Sequence, residues 1–246
     1  MKILGIIPSR YASTRFSGKS LADIAGKSMV QRVVEQVLKS TLITDVVVAT
    51  DDQRIYDHVS SFGGEACITN TDHQSGTDRC IEALQLQKES YDYVINIQGD
   101  EPFIQPEQID LLANLLDGET QLATLVKPIE QSEQLFDPNV VKAVKGINGD
   151  AIYFSRNPIP FQRNKSQGDW LKNHTYYKHI GIYAYRTDIL EQITQLPISS
   201  LEKAESLEQL RWIENGYQIK TAITHHESIG IDTPEDLENA LKKMEV

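Results

Sequence analysis

The feature that most constrains this chain is the rhythm of its first half, where short apolar runs alternate with amphipathic stretches. Ile3 to Ile7, Asp45 to Ala49, Glu65 to Thr69 and Tyr93 to Ile97 are short apolar runs, and they are expected as strands. Between them, Met29 to Lys39, Asp52 to Ser60 and Thr77 to Gln87 repeat apolar residues at spacings of three and four, as in Val30, Val33, Val34, Val37 and Leu38, which predicts helices with one buried face. Strand, crossover helix and strand in this order build a largely parallel sheet covered by helices, an α/β fold. From about Gln121 the rhythm changes. Leu122 to Lys127, Val140 to Lys145 and Ala151 to Ser155 are strand-like, and Asn148-Gly149 between the last two is a hairpin signal, so a smaller antiparallel insertion is expected. Phe161 to Lys178 is polar and aperiodic and reads as a long exposed loop, Trp170 included. Strands follow at His179 to Arg186 and Ile219 to Ile223, helices at Asp188 to Thr194 and Lys203 to Asn215, and Thr233-Pro234 opens a last helix.

With 40% hydrophobic positions, the 246 residues can bury a full core, and one domain over 1–246 is expected, with the insertion inside 121–186. The formal net charge of -11 opposes a polyanion, so no nucleic-acid partner is expected. Cys67 and Cys80 form no CxxC, which excludes a disulfide framework and a cysteine zinc site and fits a reducing compartment. The apolar run at Ile3 is cut by Pro8 and followed by Arg10 and Arg15, so neither a signal peptide nor a membrane span is expected, and the chain reads as cytoplasmic.

Four clusters can carry chemistry. The first strand runs into a loop holding Ser9, Arg10, Ser13, Thr14, Arg15, Ser17, Gly18 and Lys19, at the strand end where open α/β sheets bind ligands. Three cations in ten residues suit a triphosphate, whereas the plainer reading is a solvated loop; GxGxxG and GxxxxGK[ST] are both absent from it. In the second cluster, Gln98-Gly99-Asp100 follows a buried strand. Gly99 permits close approach of backbone to ligand, and Asp100 is placed for a hard cation such as Mg²⁺ unless it merely turns the chain. Asp232 likewise follows an apolar stretch, Ile229-Gly230-Ile231, and the two carboxylates can meet across one ion. Third, His73-Gln74-Ser75-Gly76-Thr77-Asp78-Arg79 opens a helix whose first N–H groups suit an anion or a base edge, while Asp78 and Arg79 cap and pair. Fourth, alternation puts His179, Gly181, Tyr183 and Tyr185 on one strand face, a wall for a polyhydroxylated ligand or a structural cluster.

The blocks IIPSRYASTRFSGKSL, VVVATDD, HQSGTDR, NIQGDEP, HIGIYAYR, ESLEQLRWIENG and IGIDTPEDL, in this order over nearly the whole chain, resemble the 3-deoxy-manno-octulosonate cytidylyltransferases, or CMP-Kdo synthetases. That family joins CMP from CTP to the acid sugar Kdo, releasing pyrophosphate, for lipopolysaccharide synthesis. The phosphate loop departs from the family pattern at Ser9, Phe16, Ser17 and Ser20, where Ala, Leu, Pro and Pro are common, and keeps its cations. The resemblance implies a Rossmann-like nucleotide-sugar transferase fold, a mixed central sheet flanked by helices, and a homodimer to which the antiparallel part and the long loop contribute. It places Arg10, Arg15 and Lys19 on the CTP phosphates, Ser75, Gly76 and Gln98 on the nucleotide, Asp100 and Asp232 on Mg²⁺, with Arg10, Lys19, Asp100 and Asp232 as the catalytic set, and Gln98, His179, Tyr183, Glu208 and Gln209 around Kdo. No residue stands out as a general base. Rival readings are a cytidylyltransferase for another acid sugar such as sialic acid, against which HQSGTDR and HIGIYAYR speak, and a non-catalytic nucleotide-binding module, which has no need of Asp232 beside Asp100.

Overall fold

Ile3, Leu4, Ile6 and Ile7 are each at most 2% exposed, so β1 (Ile3–Ser9) is covered on both faces, as a central parallel strand must be. The computed structural model describes residues 1–12, 15–73, 75–227 and 230–244; Ser13, Thr14, Gln74 and Ile229, named above, lie outside these. The chain divides into two compact units, Met1–Ala113 with Glu227–Val246, and Asn114–His226.

In the first unit β1 is followed by a hairpin of β2 (Asp23–Ile24) and β3 (Lys27–Ser28), then by α1 (Met29–Val37), β4 (Asp45–Thr50), α2 (Gln53–Ser61), β5 (Ala66–Ile68), α3 (Gly76–Gln85), β6 (Tyr93–Asn96) and α4 (Pro106–Ala113). β1 lies between β4 and β6 in parallel register, Ile6 facing Val47 and Asn96, and β5 extends the sheet beyond β4. Parallel register brings the carboxyl ends of β1 and β6 side by side, so the cationic loop and the segment at Asp100 emerge together. Helix starts follow local chemistry. Ser28 Oγ accepts from the Gln31 N–H at 3.2 Å, and α1 then buries Met29, Val30, Val33, Val34 and Val37.

The second unit contains β7 (Leu122–Pro128), α5 (Ser132–Phe136), β8 (Lys142–Lys145), β9 (Ala151–Ser155), α6 (Trp170–Asn173), β10 (Tyr177–Arg186), α7 (Thr187–Thr194), α8 (Ser200–Glu205), α9 (Gln209–Glu214) and β11 (Ile219–Ile223). Its sheet is mixed. β7 pairs parallel with β11 and antiparallel with β10, and β8 pairs antiparallel with both β10 and β9. Gly149 turns the β8–β9 hairpin at φ +88°, a conformation that favours glycine, and its N–H donates to the Gly146 carbonyl at 3.1 Å. A final helix, α10 (Pro234–Met244), belongs to the first unit, where Ile231 and Ala240 join Ile24 and Met29 in a small core lined by Phe16 and Phe103. Helices thus accompany parallel strand pairs in one unit and mixed strand pairs in the other, the α/β class expected. Among the described residues no helix is long and apolar enough to cross a membrane.

Two expectations are corrected. Phe161 to Lys178 is not simply an exposed loop: Trp170 is 2% exposed, stacks on Tyr176 at 6.1 Å and packs with Ile129 and Leu135, so scattered aromatics give the segment a core of its own. Lys203 to Asn215 is two helices, because Ser206 takes φ +52° and ends α8 in a left-handed cap.

Gly99 sits where β6 runs out against the end of β1. A Cβ there would lie 2.5 Å from the Pro8 carbonyl oxygen and 2.9 Å from Ser9 Oγ, so it is the neighbouring backbone that demands glycine. Gly99→Ala is expected to lower stability by about 2 kcal/mol, the scale of overpacking in a closed core, in urea denaturation. An unchanged midpoint would mean that the two strand ends part freely.

Candidate functional site

A cleft of about 460 Å³ opens at the carboxyl ends of β1 and β6 in the first unit. Arg10, Arg15 and Lys19 reach it from the loop after β1, Ser75, Gly76 and Arg79 from the start of α3, Gln98 and Asp100 from the end of β6, and Asp232 from just before α10. The Lys19 ammonium lies between two carboxylates, 2.6 Å from Asp100 Oδ2 and 3.0 Å from Asp232 Oδ1. Arg15 adds a contact to Asp232 Oδ2 at 3.0 Å. Burial works against the charge on Lys19, but Asp100 and Asp232 outweigh it and hold its pKa above the usual lysine value.

Backbone geometry sets this cluster. Gly18, at φ +71°, donates its N–H to the Tyr11 carbonyl at 2.8 Å and starts the short turn that presents Lys19. The Tyr11 ring is covered by the Arg54 guanidinium at 3.4 Å from its centroid. Asp232 is placed by its neighbours: the Ile231 N–H donates to the Asp100 carbonyl at 2.9 Å, and the Asp232 and Thr233 N–H groups donate to Asp236 Oδ2 at 3.1 and 2.8 Å. The donor set is two carboxylates around one cationic position, which suits a hard divalent ion that takes its other ligands from phosphate and water. Among the described residues no group of three or more His, Cys, Asp or Glu side chains forms a metal cluster.

At the helix start, Ser75 and Asp78 cap α3 reciprocally, Ser75 Oγ accepting from the Asp78 N–H at 3.1 Å. Arg10 donates to the His73 carbonyl, and the His73 ring bonds Glu82. Arg79 is fully buried, paired with Asp51 at 2.7 Å and bonded to Thr69, and burial pulls its pKa down against the pull of Asp51. The reading of Asp78 and Arg79 as capping and pairing residues describes what they do. That Arg79 also lines the cleft was not legible, since its Asp51 and Thr69 partners come from other strand ends.

The fourth cluster lies in the second unit. Ile180 faces Leu125 but Tyr183 faces Thr124, so β10 carries a bulge of two extra residues at Gly181 and Ile182. An even insertion keeps His179, Tyr183 and Tyr185 on one face, with ring centroids 5.1 and 6.0 Å apart along the row, while Gly181 falls in the bulge. Trp212, which the sequence reading passed over, stands edge-on to Tyr183 and Tyr185 at 5.1 and 5.7 Å. Burial pushes the His179 imidazole down to about 3, so it is neutral near pH 7. Thr124 Oγ1 lies 2.7 Å from the Ile182 carbonyl and 3.0 Å from His179 Nε2. Its one proton goes to the carbonyl, so it accepts from Nε2–H and leaves Nδ1 as the acceptor of His179. The Tyr183 hydroxyl and Trp212 Nε1 are buried and find no hydrogen-bond partner among the described residues. Gln209 is 6% exposed at the start of α9, with Glu208 as its cap residue. Of the residues assigned to the sugar, Gln98 is in the first unit and the other four are in the second.

A family model for cytidylyltransferases matches residues 4–229. The chain belongs to the cytidylyltransferase family. Among its relatives, a 3-deoxy-manno-octulosonate cytidylyltransferase of Parabacteroides distasonis is 58% identical over 98% of this chain and 97% of its own length. One of Thermodesulfovibrio yellowstonii is 51% identical over 98% of both. A solved CMP:2-keto-3-deoxy-manno-octonic acid synthetase complexed with CTP is 43% identical, superposes with a TM-score of 0.92, and is covered over 99% of its length by 100% of this chain.

In this cytidylyltransferase His179 links the second unit to pH. Its unfolded pKa is near the ordinary 6.5 and its folded value about 3, so between those limits the unfolded chain binds a proton that the native one refuses. Its stabilising contribution is complete above pH 6.5 and falls as the pH drops toward 3, by at most about 1.4 kcal/mol per unit. His179→Gln is expected to flatten the acid limb of urea-unfolding stability between pH 7 and 4. Equal limbs in the two proteins would show a solvated ring.

Proposed function

We propose that this cytidylyltransferase transfers CMP from CTP to the anomeric hydroxyl of 3-deoxy-D-manno-octulosonate, releasing pyrophosphate. The observation that carries this reading is the meeting of Asp100 and Asp232 at one cationic position inside a cleft that also holds Arg10, Arg15, Ser75 and Gly76. A triphosphate needs cations and a helix N-terminus, and phosphoryl transfer needs a charge clamp on the reacting group; both are in one cavity. The relatives named for Kdo, and the CTP-bound neighbour, support CTP as donor and Kdo as acceptor.

In this reading Arg10, Arg15 and Lys19 bind the phosphates and hold the α-phosphorus for in-line attack, and Ser75 and Gly76 orient the nucleotide. Asp100 and Asp232 hold Mg²⁺. When bound, the ion supplies positive charge to the triphosphate and lowers the pKa of an oxygen it contacts. His179 receives a sugar hydroxyl at Nδ1 and, being neutral, adds no charge, while Tyr183, Glu208 and Gln209 supply further hydrogen-bonding groups. The unpartnered Tyr183 hydroxyl and Trp212 N–H support a polyhydroxylated ligand at this wall. Ile147, Ile152 and Phe161, exposed on the hairpin and the following segment, support a homodimer built through 121–186. Two cysteines in the whole chain, with no CxxC spacing, support a reducing, cytoplasmic setting.

The direct experiment is pyrophosphate release with CTP, Mg²⁺ and a panel of acid sugars. Release with Kdo and little with sialic acid is expected; release with sialic acid alone would move the chain to another acceptor, and none with any sugar would leave a nucleotide-binding module. Asp100→Asn and Asp232→Asn are each expected to lower kcat by at least ~10²-fold, with the double variant little worse than either, because groups that act as one unit are not additive. Near-normal kcat in Asp232→Asn would remove it from the metal site. Gln209→Ala is expected to raise KM for Kdo by roughly tenfold and to leave KM for CTP nearly unaltered, the loss of one polar contact in the acceptor site. Equal changes in both constants would place Gln209 elsewhere.

A further inference from the structure

The two carboxylates assigned to the metal are each paired with protein cations. Lys19 Nζ touches both, and Arg15 touches Asp232 a second time, so two negative side chains are matched by two positive ones. The Lys19 side chain is only 16% exposed, so this is a partly enclosed arrangement. The same ammonium cannot pair with both carboxylates while a divalent ion holds them, because like charges at that distance repel.

We propose that Lys19 is a built-in competitor for the metal, which makes loading of the site ordered: the triphosphate enters first, draws Lys19 and Arg15 onto its phosphates, and thereby opens Asp100 and Asp232 to the divalent cation. This rests on the reading of those two residues as the metal ligands and goes beyond it, since it gives Lys19 a second role before any chemistry. When a binding-competent state is only partly populated, the measured affinity falls by that fraction, so an ammonium that closes the pair about nine-tenths of the time weakens metal binding about tenfold. Competition also keeps an enzyme without CTP from holding a metal ion in a site with no phosphate to complete its shell.

The test is Mn²⁺ binding to the nucleotide-free protein, read by electron paramagnetic resonance of the free ion. Lys19→Met and Lys19→Gln, two variants in case one folds poorly, are expected to bind Mn²⁺ at least roughly tenfold more tightly than the unaltered chain. Adding Asp232→Asn to either should abolish the gain. Arg10→Met is the control, because it removes a cation from the same cleft without uncovering a carboxylate; an equal gain there would mean a general field effect and overturn the proposal. Lys19 variants no tighter than the unaltered chain, with both losing Mn²⁺ on Asp232→Asn, would leave the metal site standing and Lys19 no competitor. Indifference of Mn²⁺ binding to Asp232→Asn in every background would instead remove the metal site itself, and the proposal with it. Calorimetry in EDTA gives the second half: CTP is expected to bind with no divalent ion present, and a strict metal requirement would refute the order.

Discussion

A single backbone hydrogen bond, from the Ile231 N–H to the Asp100 carbonyl, joins segments from the middle and the far end of the chain and sets the spacing of the two acidic side chains that the cleft is built around. Carboxylates held close together repel, and a cation between them relieves that repulsion. Lys19 is that cation. Around it, the left-handed Gly18 aims Lys19, Phe16 packs on the core that contains Ile231, and Gly99, with no side chain, lets β6 close on β1.

The first unit was largely legible in the sequence because its signals are local. The periods of Val30, Val33, Val34 and Val37, and the Ser75-Asp78 cap, depend on neighbours a turn away, and they place the strand ends at which the cationic loop and Asp100 must emerge. Less was legible where the decisive partner is distant. Trp170 looked exposed because its neighbours in sequence are polar, whereas Ile129 and Leu135, on which it and Tyr176 pack, come from the chain around α5. Ser206 carries no glycine signal for the break between α8 and α9. The bulge at Gly181 and Ile182 is a matter of register with β7 and leaves no mark on alternation, which survives because two residues rather than one are inserted. The loop cations, the start of α3, Asp100 and Asp232 stand out by residue type and position, the family resemblance gives them roles, and the geometry brings Arg10, Arg15, Lys19, Ser75, Gly76, Gln98, Asp100 and Asp232 to one cleft. What the resemblance did not say is that Lys19 would be found on the carboxylates.

The wall in the second unit works by a different principle. Its groups are neutral: an imidazole whose protonation is suppressed by burial, tyrosines and an indole, with Thr124 fixing the tautomer. Hydrogen-bond direction discriminates among hydroxyl patterns, whereas the net charge that the first unit's cleft presents discriminates little.

The placement of Asp232 also ties one corner of the cleft to a small core outside it. The segment that carries it is held by Ile231 in a core to which Ala240, Leu237 and Leu241 of α10 contribute. The strand ends that carry Arg10 and Asp100 belong to the sheet around β1, so loosening α10 would release one acidic group of the pair while leaving the other in place.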